Sequence, residues 1–295
     1  MEIKSQFEYK GKTYKVTFND GLPETPTDPK ILDGVHTYCF YSDKLVVVGH
    51  PDGHYTPPGG AIEKGETFEE AAIREIKEET NMKVLHIECI GYQDVEPPGW
   101  DRVARQFRMF AIVEPYGDFV SDPDGDISHI VLIDPKDYKK YIEWGEVGDY
   151  LIKRAVGIKI KNDFLTKLQV LKELNLPKEH FVVVSSGALA IRGLRQAKDL
   201  DVIVDELLWE KLSKKYEVKL NEWNVENLHI NEDIEILNPA QSMYGNSDVV
   251  SREVIFQKAD EFEGIKFINL EHLKIIKQKL GRQKDLEDIA LIENF

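Results

Sequence analysis

Residues 59–82 of this 295-residue chain, GGAIEKGETFEEAAIREIKEETNM, join a glycine-rich loop to a strongly acidic segment. Thr67 followed by Glu70 is a capping-box pattern, which marks the start of a helix. The apolar residues that follow recur at helical spacing and predict a narrow apolar stripe along residues 67–80. That stripe consists of Phe68, Ala71, Ala72 and Ile76.

The same helix carries three glutamates at positions i, i+3 and i+4, which places Glu75, Glu78 and Glu79 on one face. Crowded carboxylates repel one another unless water or a divalent cation compensates their charge. Oxygen-only ligands favour a hard cation such as Mg²⁺ or Mn²⁺. A lone cluster of this kind more often marks a solvated helix face. The preceding Gly59 and Gly60 would let the backbone approach a bound phosphate closely.

The whole stretch resembles the Nudix signature: Gly, five residues, Glu, seven residues, then Arg-Glu-apolar-any-Glu-Glu-any-Gly-apolar. One position departs, because Asn81 stands where the family has its second glycine. A left-handed backbone is expected there, and Asn tolerates that conformation best after Gly. The positions that match are Gly60, Glu66, Arg74, Glu75, Ile76, Glu78, Glu79 and Met82.

The resemblance covers about residues 1–160 and implies a Nudix α/β/α sandwich. It further implies Mg²⁺- or Mn²⁺-dependent hydrolysis of a nucleoside diphosphate linked to another group. By this analogy the carboxylates of Glu75, Glu78 and Glu79 hold the metal. Glu78, Glu79 or a carboxylate from another loop orients the attacking water. Glu66 and Arg74 brace the loop through a salt bridge.

The substrate is less constrained by the sequence. Residues 97–105, PPGWDRVAR, loosely resemble a loop of ADP-ribose-type Nudix enzymes. Trp100 could stack on a base, and Arg102 or Arg105 could contact a phosphate. A Pro-Gly loop with a partly buried Trp fits equally well. Further acids could supply another metal ligand, although a solvated loop is the simpler interpretation: Glu114, Asp122, Asp124 and Asp126.

A second motif lies in residues 181–204, FVVVSSGALAIRGLRQAKDLDVIV. It predicts a strand, a Ser/Gly turn, a short helix and a second strand that carries Asp199 and Asp201 on one side. A later acidic strand, with Asp233 and Glu235, could lie beside it. Convergent carboxylates next to such a turn would suit Mg²⁺ and a nucleoside triphosphate.

These features resemble the small polymerase-β-like nucleotidyltransferase fold over about residues 163–295. The resemblance implies that Ser186 binds the substrate, that Asp199 and Asp201 form the metal pair, and that Asp233 or Glu235 is the third acid. The helical tail 277–292 also fits. Ser185 occupies the position of an expected glycine. A D-x-D on a strand of an acidic protein, or a degenerate nucleotide-sensing domain, are the alternatives.

The composition and charge of the chain limit the classes of protein to which it can belong. The net charge is −15 and neither half is basic, which excludes a generic binder of nucleic-acid backbones. No apolar run is long enough to span a membrane, the N-terminus lacks a secretory core, and two cysteines without a CxxC favour the cytoplasm. We expect an α/β (α+β) protein with domains at 1–160 and 163–295, joined by a linker at 161–163, and leave a homodimer open.

Overall fold

The structure is a computed structural model that describes residues 1–9, 11–25, 27–28, 30–99, 102–221, 224–245 and 248–295. The chain divides into two compact units, Met1–Val156 and Gly157–Phe295, here called the N-terminal and C-terminal units. Within the described ranges, no helix combines the length and apolarity needed to cross a membrane. Cys39 and Cys89 are both free thiols.

The N-terminal unit is built on one mixed sheet of eight strands. The strands run in the order β1-β2-β6-β7-β3-β4-β5, and β8 pairs with β4. An N-terminal hairpin is formed by β1 and β2, which pair antiparallel from Glu2↔Asn19 to Tyr9↔Lys12. The strands are β1 (Glu2–Tyr9), β2 (Lys12–Asp20), β3 (Leu32–Tyr41), β4 (Lys44–Gly49), β5 (Tyr55–Thr56), β6 (Met82–Glu96), β7 (Ala104–Pro115) and β8 (His129–Ile133).

Helix α1 (Phe68–Thr80) packs on one face of this sheet, as its apolar stripe predicts. The capping box is present: Thr67 Oγ1 accepts from Glu70 N at 3.1 Å, and Glu70 Oε2 accepts from Thr67 N at 2.9 Å. Asn81 ends the helix in the left-handed conformation, with φ 54° and ψ 39°. The loop–helix–loop therefore forms despite the missing glycine.

The predicted linker at 161–163 is wrong. These residues lie inside a single helix, α2 (Gly145–Glu173), which contributes to both units. Lys159 Nζ pairs with Asp163 one turn later at 2.6 Å, while Phe164 is buried. The polar Lys-Asn-Asp triplet resembles a break in sequence, but Lys161 is exposed and Asn162 and Asp163 are half-buried within a helix whose buried side continues. A 3₁₀ helix, Pro135–Lys140, precedes α2.

The C-terminal unit contains a seven-stranded sheet in the order β11-β12-β13-β10-β9-β15-β14. The predicted neighbour strands are confirmed, since β10 and β13 pair in parallel with Asp201 opposite Glu235. The predicted tail helix is interrupted at Gly281, which caps α6 in the left-handed conformation. The strands are β9 (Phe181–Val183), β10 (Leu200–Val204), β11 (Val218–Leu220), β12 (Glu226–His229), β13 (Ile234–Leu237), β14 (Asp260–Phe262) and β15 (Ile265–Phe267). The helices are α3 (Ser185–Ala190), α4 (Glu206–Leu212), α5 (Arg252–Gln257), α6 (Leu270–Leu280) and α7 (Gln283–Glu293), with a 3₁₀ turn at Lys178–His180.

Candidate functional site

Glu79 is the most buried carboxylate of α1, with 7% of the residue exposed. Its Oε2 accepts a hydrogen bond from the backbone N–H of Gly59 at 2.7 Å. A Cβ on Gly59 would lie 2.0 Å from the carbonyl oxygen of Val35, so only glycine fits there. A Cβ on Gly60 would lie 2.4 Å from Glu75 Oε1. The two glycines thus let the loop backbone close over the carboxylates.

Arg74 joins the other signature acids. Its Nε and Nη2 donate to the two carboxylate oxygens of Glu66, each at 3.0 Å, which is the predicted salt bridge. Nη1 donates to Glu75 at 2.7 Å and to Glu78 at 3.1 Å. Nη2 also donates to the carbonyl of Ala61 at 2.8 Å, which ties the loop to the helix. These bonds raise the pKa of Arg74 and lower that of Glu66.

Burial and like charges act on the two inner carboxylates. Burial raises the pKa of Glu79 to about 8, the charges of Glu75, Asp122 and Asp126 add to the rise, and the Gly59 N–H opposes it. Burial also raises the pKa of Glu75, against the pull of Arg74. A buried carboxylate that is pushed toward neutrality by neighbouring acids is an electrostatic site for a cation.

The acidic loop after β7 contributes to this site. Asp122 is 9% exposed and accepts backbone N–H groups from Asp126 at 2.8 Å and Ile127 at 3.2 Å. Its influence on Glu79 contrasts with the solvated loop that the sequence favoured for residues 122–126. Glu114 is instead exposed and pairs with Lys83 at 3.2 Å. Sequence reasoning could not rank these acids, because their spacing along the chain is not helical.

The donor set fits a divalent metal in chemistry, although no ready-made ligand cage is present. In the described part of the chain, no group of three or more His, Cys, Asp or Glu is arranged to hold a metal ion. Glu75 and Glu78 are turned toward Arg74, and Glu79 is turned toward Gly59. Carboxylate oxygens are nevertheless the ligands that Mg²⁺ and Mn²⁺ take.

The two arginines that the sequence predicts to contact a phosphate instead bond to groups of the protein itself. Trp100 lies outside the described residues. Arg102 Nη1 donates to the Lys30 carbonyl at 2.7 Å. Arg105 donates to both oxygens of Asp94 at 2.7 Å and lies 4.1 Å from the Tyr92 ring centroid. The Arg105 guanidinium is therefore already held in an ion pair.

Sequence reasoning missed one buried cation in the N-terminal unit, Arg108. It lies in the middle of the apolar strand β7 and is 3% exposed. The available signal was a charged residue within the apolar run FRMFAIV, residues 107–113.

The C-terminal unit holds a cavity of about 900 Å³. Asp199, Asp201 and Glu235 line it together with Ser185 and Ser186, as their positions in the sequence predict. Asp233 is directed elsewhere, because it pairs with Lys167 and is not among the lining residues. Basic side chains also line the cavity: Arg195, Lys198, Lys277, Arg282 and Lys284. The cavity therefore offers both carboxylates and cations.

Ser185 has φ 55°, the left-handed backbone that a glycine would adopt most easily. Its hydroxyl donates to Asp201, which lowers the pKa of that carboxyl. Burial dominates, however, and with the charges of Asp199 and Glu235 it raises the pKa of Asp201 to about 6. The turn thus keeps the shape expected of a glycine while adding a hydroxyl beside the carboxylates.

One wall of the cavity is fixed by buried ion pairs between α6 and α7. Lys277, 3% exposed, pairs with Asp288 at 2.6 Å and with Asp285 at 3.3 Å. Asp288 also accepts from Arg195, and Asp285 from Arg282. Buried pairs of this kind hold a single arrangement when every member is satisfied.

Comparisons with known proteins bear on the N-terminal unit. Residues 33–154 match the model of the NUDIX domain family. A Bacillus subtilis protein provisionally named as an 8-oxo-dGTP diphosphatase is 34% identical over 108 residues, which are 36% of this chain and 63% of that protein. A Caenorhabditis elegans protein provisionally named nudix hydrolase 1 is 38% identical over 72 residues, 24% of this chain and 18% of that protein.

Among solved structures, a pyrophosphohydrolase of Bacillus subtilis is similar at 26% identity. The match covers 50% of this chain and 94% of that one, with a TM-score of 0.39. The chain spans less than two thirds of the length of each of the two curated relatives.

Proposed function

We propose that the N-terminal unit is a divalent-metal-dependent Nudix hydrolase that cleaves a nucleoside diphosphate linked to another group. The observation that carries this proposal is the buried Glu79 carboxylate, which is held by Gly59 and crowded by Glu75 and the acidic loop. Such crowding is costly in a protein that does no chemistry there, whereas a cation site needs it. The match to the Nudix family supports the same conclusion.

In this proposal the residues of the acidic helix and the glycine-rich loop have separate roles. Glu75, Glu78 and Glu79 would hold Mg²⁺ or Mn²⁺, which supplies charge that stabilises the leaving phosphate and activates water when bound. Glu79 would orient the attacking water and accept its proton once a bound cation offsets the neighbouring acids and favours the ionised carboxylate. Glu78 is the alternative base. Arg74 and Glu66 would position the loop, while Gly59 and Gly60 admit the diphosphate close to the backbone.

Two observations suggest different nucleotide substrates. The relative from Bacillus subtilis suggests an oxidised purine triphosphate, and the loop at 97–105 suggests an ADP-ribose-like compound. Hydrolysis of 8-oxo-dGTP, dGTP, ADP-ribose and diadenosine tetraphosphate with Mg²⁺ or Mn²⁺ tests the proposal through phosphate-containing products. Turnover that disappears on chelation supports it. No turnover of any member with either metal would favour the alternative, a nucleotide-sensing regulatory protein.

A second candidate function concerns the C-terminal unit. We propose a nucleotidyltransferase-like domain that binds a nucleoside triphosphate with Mg²⁺ and either transfers or senses it. This is supported by the pairing of Asp201 with Glu235 across neighbouring strands, beside the Ser185–Ser186 turn and a cavity lined with cations. Calorimetric titration with ATP, GTP, CTP and UTP, with and without Mg²⁺, tests it. A cytoplasmic location and a homodimer stay predictions.

A further inference from the structure

Arg108 projects from the face of the sheet opposite α1. Its neighbours on β7, Phe107 and Met109, pack in the cluster beneath α1. Because side chains alternate along a strand, Arg108 points to the other face, where its guanidinium lies 5.2 Å from the Trp144 ring centroid. A buried arginine normally has an anionic partner.

Among the described residues, Arg108 has only neutral hydrogen-bond partners. Nη2 donates to Gln106 Oε1 at 2.9 Å, and Nη1 lies 3.3 Å from both the Phe107 carbonyl and His36 Nδ1. Nε has no hydrogen-bond partner, and the described residues place no carboxylate at ion-pair distance. Asp33 accepts from Gln106 Nε2 at 2.8 Å and acts on Arg108 only through its charge, without a direct ion pair. Burial lowers the pKa of Arg108 to about 10, which still leaves it charged at neutral pH.

Aromatic rings surround this unsatisfied donor. The His36 and Trp144 rings meet edge-on with centroids 5.2 Å apart, and Tyr38 meets Trp144 at 6.5 Å. Tyr38 Oη also lacks a hydrogen-bond partner. His36 and Trp144 are only partly buried, whereas Arg108 is 3% exposed. Flat apolar walls around a few polar groups suit a planar ring that carries acceptors.

The cluster adjoins the loop that covers the catalytic carboxylates. The residues on either side of His36 bond to that loop: Val35 N donates to the Gly60 carbonyl at 2.9 Å, and Thr37 N donates to the Pro58 carbonyl at 2.8 Å. Gly59, between them, contacts Glu79. The strand that carries His36 is therefore bonded directly to the loop that contacts Glu79.

We propose that Arg108 recognises the base of the substrate, and that this base is a purine with a carbonyl oxygen at C6, guanine or hypoxanthine. This inference rests on the proposed hydrolase, whose substrate it specifies. Arginine presents parallel donors that match the O6 and N7 acceptors of such a base. Adenine would instead place an amino donor against the guanidinium. A phosphate is the poorer occupant, because the rings around Arg108 offer few donors for its remaining oxygens.

The test is calorimetric titration of the full-length protein with GMP, IMP, AMP and pyrophosphate in EDTA. We expect GMP and IMP to bind about tenfold or more tightly than AMP. Arg108→Met should abolish that preference and leave AMP affinity unchanged. Its melting temperature should stay equal or rise, since a buried charge without a carboxylate partner is removed. Arg108→Lys, which keeps the charge but not the paired donors, should lose the preference as well.

Arg192 offers a matched control, because it is also buried but pairs with Asp260. Arg192→Met should lower the melting temperature and retain the base preference. Equal binding of GMP and AMP by the parent would overturn the proposal. So would an equal loss of GMP, AMP and pyrophosphate binding in both Arg108 variants. Base preference without metal-dependent hydrolysis would refute only the hydrolase, and hydrolysis without base preference would refute only the role of Arg108.

Discussion

The backbone N–H of Gly59 donates to the buried carboxylate of Glu79 at 2.7 Å, across twenty positions of sequence. This bond joins the glycine-rich loop to the inner face of α1. It favours the ionised carboxylate, while burial and neighbouring acids favour the protonated one and prevail. Glu79 is thus geometrically fixed but electrostatically unsatisfied, which is the condition a divalent cation would relieve.

Glu79→Gln should lower hydrolysis at least about 100-fold, because the variant lacks the charge and the proton acceptor. The amide oxygen of Gln can still accept from Gly59 N, so the fold should persist. Initial rates with Mg²⁺ and a circular dichroism spectrum measure both effects. Glu69→Gln changes an exposed acid in the first turn of the same helix and should leave the rate unaltered. Near-normal turnover of Glu79→Gln would refute its assignment to the metal site.

The raised pKa of Glu79 also predicts how metal-free stability depends on pH. The folded protein holds the Glu79 proton up to about pH 8, whereas an unfolded Glu releases it near the ordinary value of 4.5. The contribution of Glu79 to stability is therefore complete below pH 4.5 and is lost as the pH rises through 8. In EDTA at pH 8.5, Glu79→Gln should melt at least about 2 °C above the parent. At pH 5 the difference should shrink. If the melting-temperature difference between Glu79→Gln and the parent is the same at pH 5 and pH 8.5, the raised pKa of Glu79 is contradicted.

Local signals made much of this fold predictable. The capping box of α1, the left-handed Asn81 and the D-x-D strand all follow from spacing and residue type within about a dozen positions. The continuity of α2 was not predictable, because a polar triplet at 161–163 looks like a linker without the tertiary contacts that bury the adjacent Phe164.

In the N-terminal unit, the carboxylates on α1 were predictable because they share one helix. Glu75, Glu78 and Glu79 follow from helical spacing. The influence of Asp122 on Glu79 depends instead on how the loop after β7 returns over α1. Arg108 was missed for the same reason, since the face on which a strand residue lies depends on the assembled sheet.

Asn81 provides a test of the departure from the family pattern. Asn81→Val should destabilise the protein by about 1–2 kcal/mol, because a β-branched side chain fits poorly at φ 54°. Asn81→Gly places the residue best suited to the left-handed backbone there, but it loses the bond from Asn81 Nδ2 to the Asp118 carbonyl at 3.0 Å. Because these two effects oppose each other, Asn81→Gly should be neutral or mildly stabilising. Thermal melting of the three proteins measures both changes. Equal melting temperatures for Asn81→Val and the parent would contradict the left-handed cap.

The last prediction concerns Asp201 and uses the full chain, since a fragment beginning at residue 163 would cut through α2. The carboxylates of Asp199, Asp201 and Glu235 repel a triphosphate unless Mg²⁺ lies between them, so Asp201→Asn should abolish the Mg²⁺-dependent part of nucleotide binding. In the parent this Mg²⁺-dependent binding should weaken as the pH falls below about 6, because protons then occupy Asp201.

Asp233→Asn is the control. It removes an acid that pairs with Lys167 and does not line the cavity, so this variant should retain the Mg²⁺-dependent binding. Calorimetric titration decides the matter: Mg²⁺-dependent binding that survives Asp201→Asn would remove this carboxylate from the metal site. No binding at millimolar nucleotide would leave the domain a structural or protein-binding role.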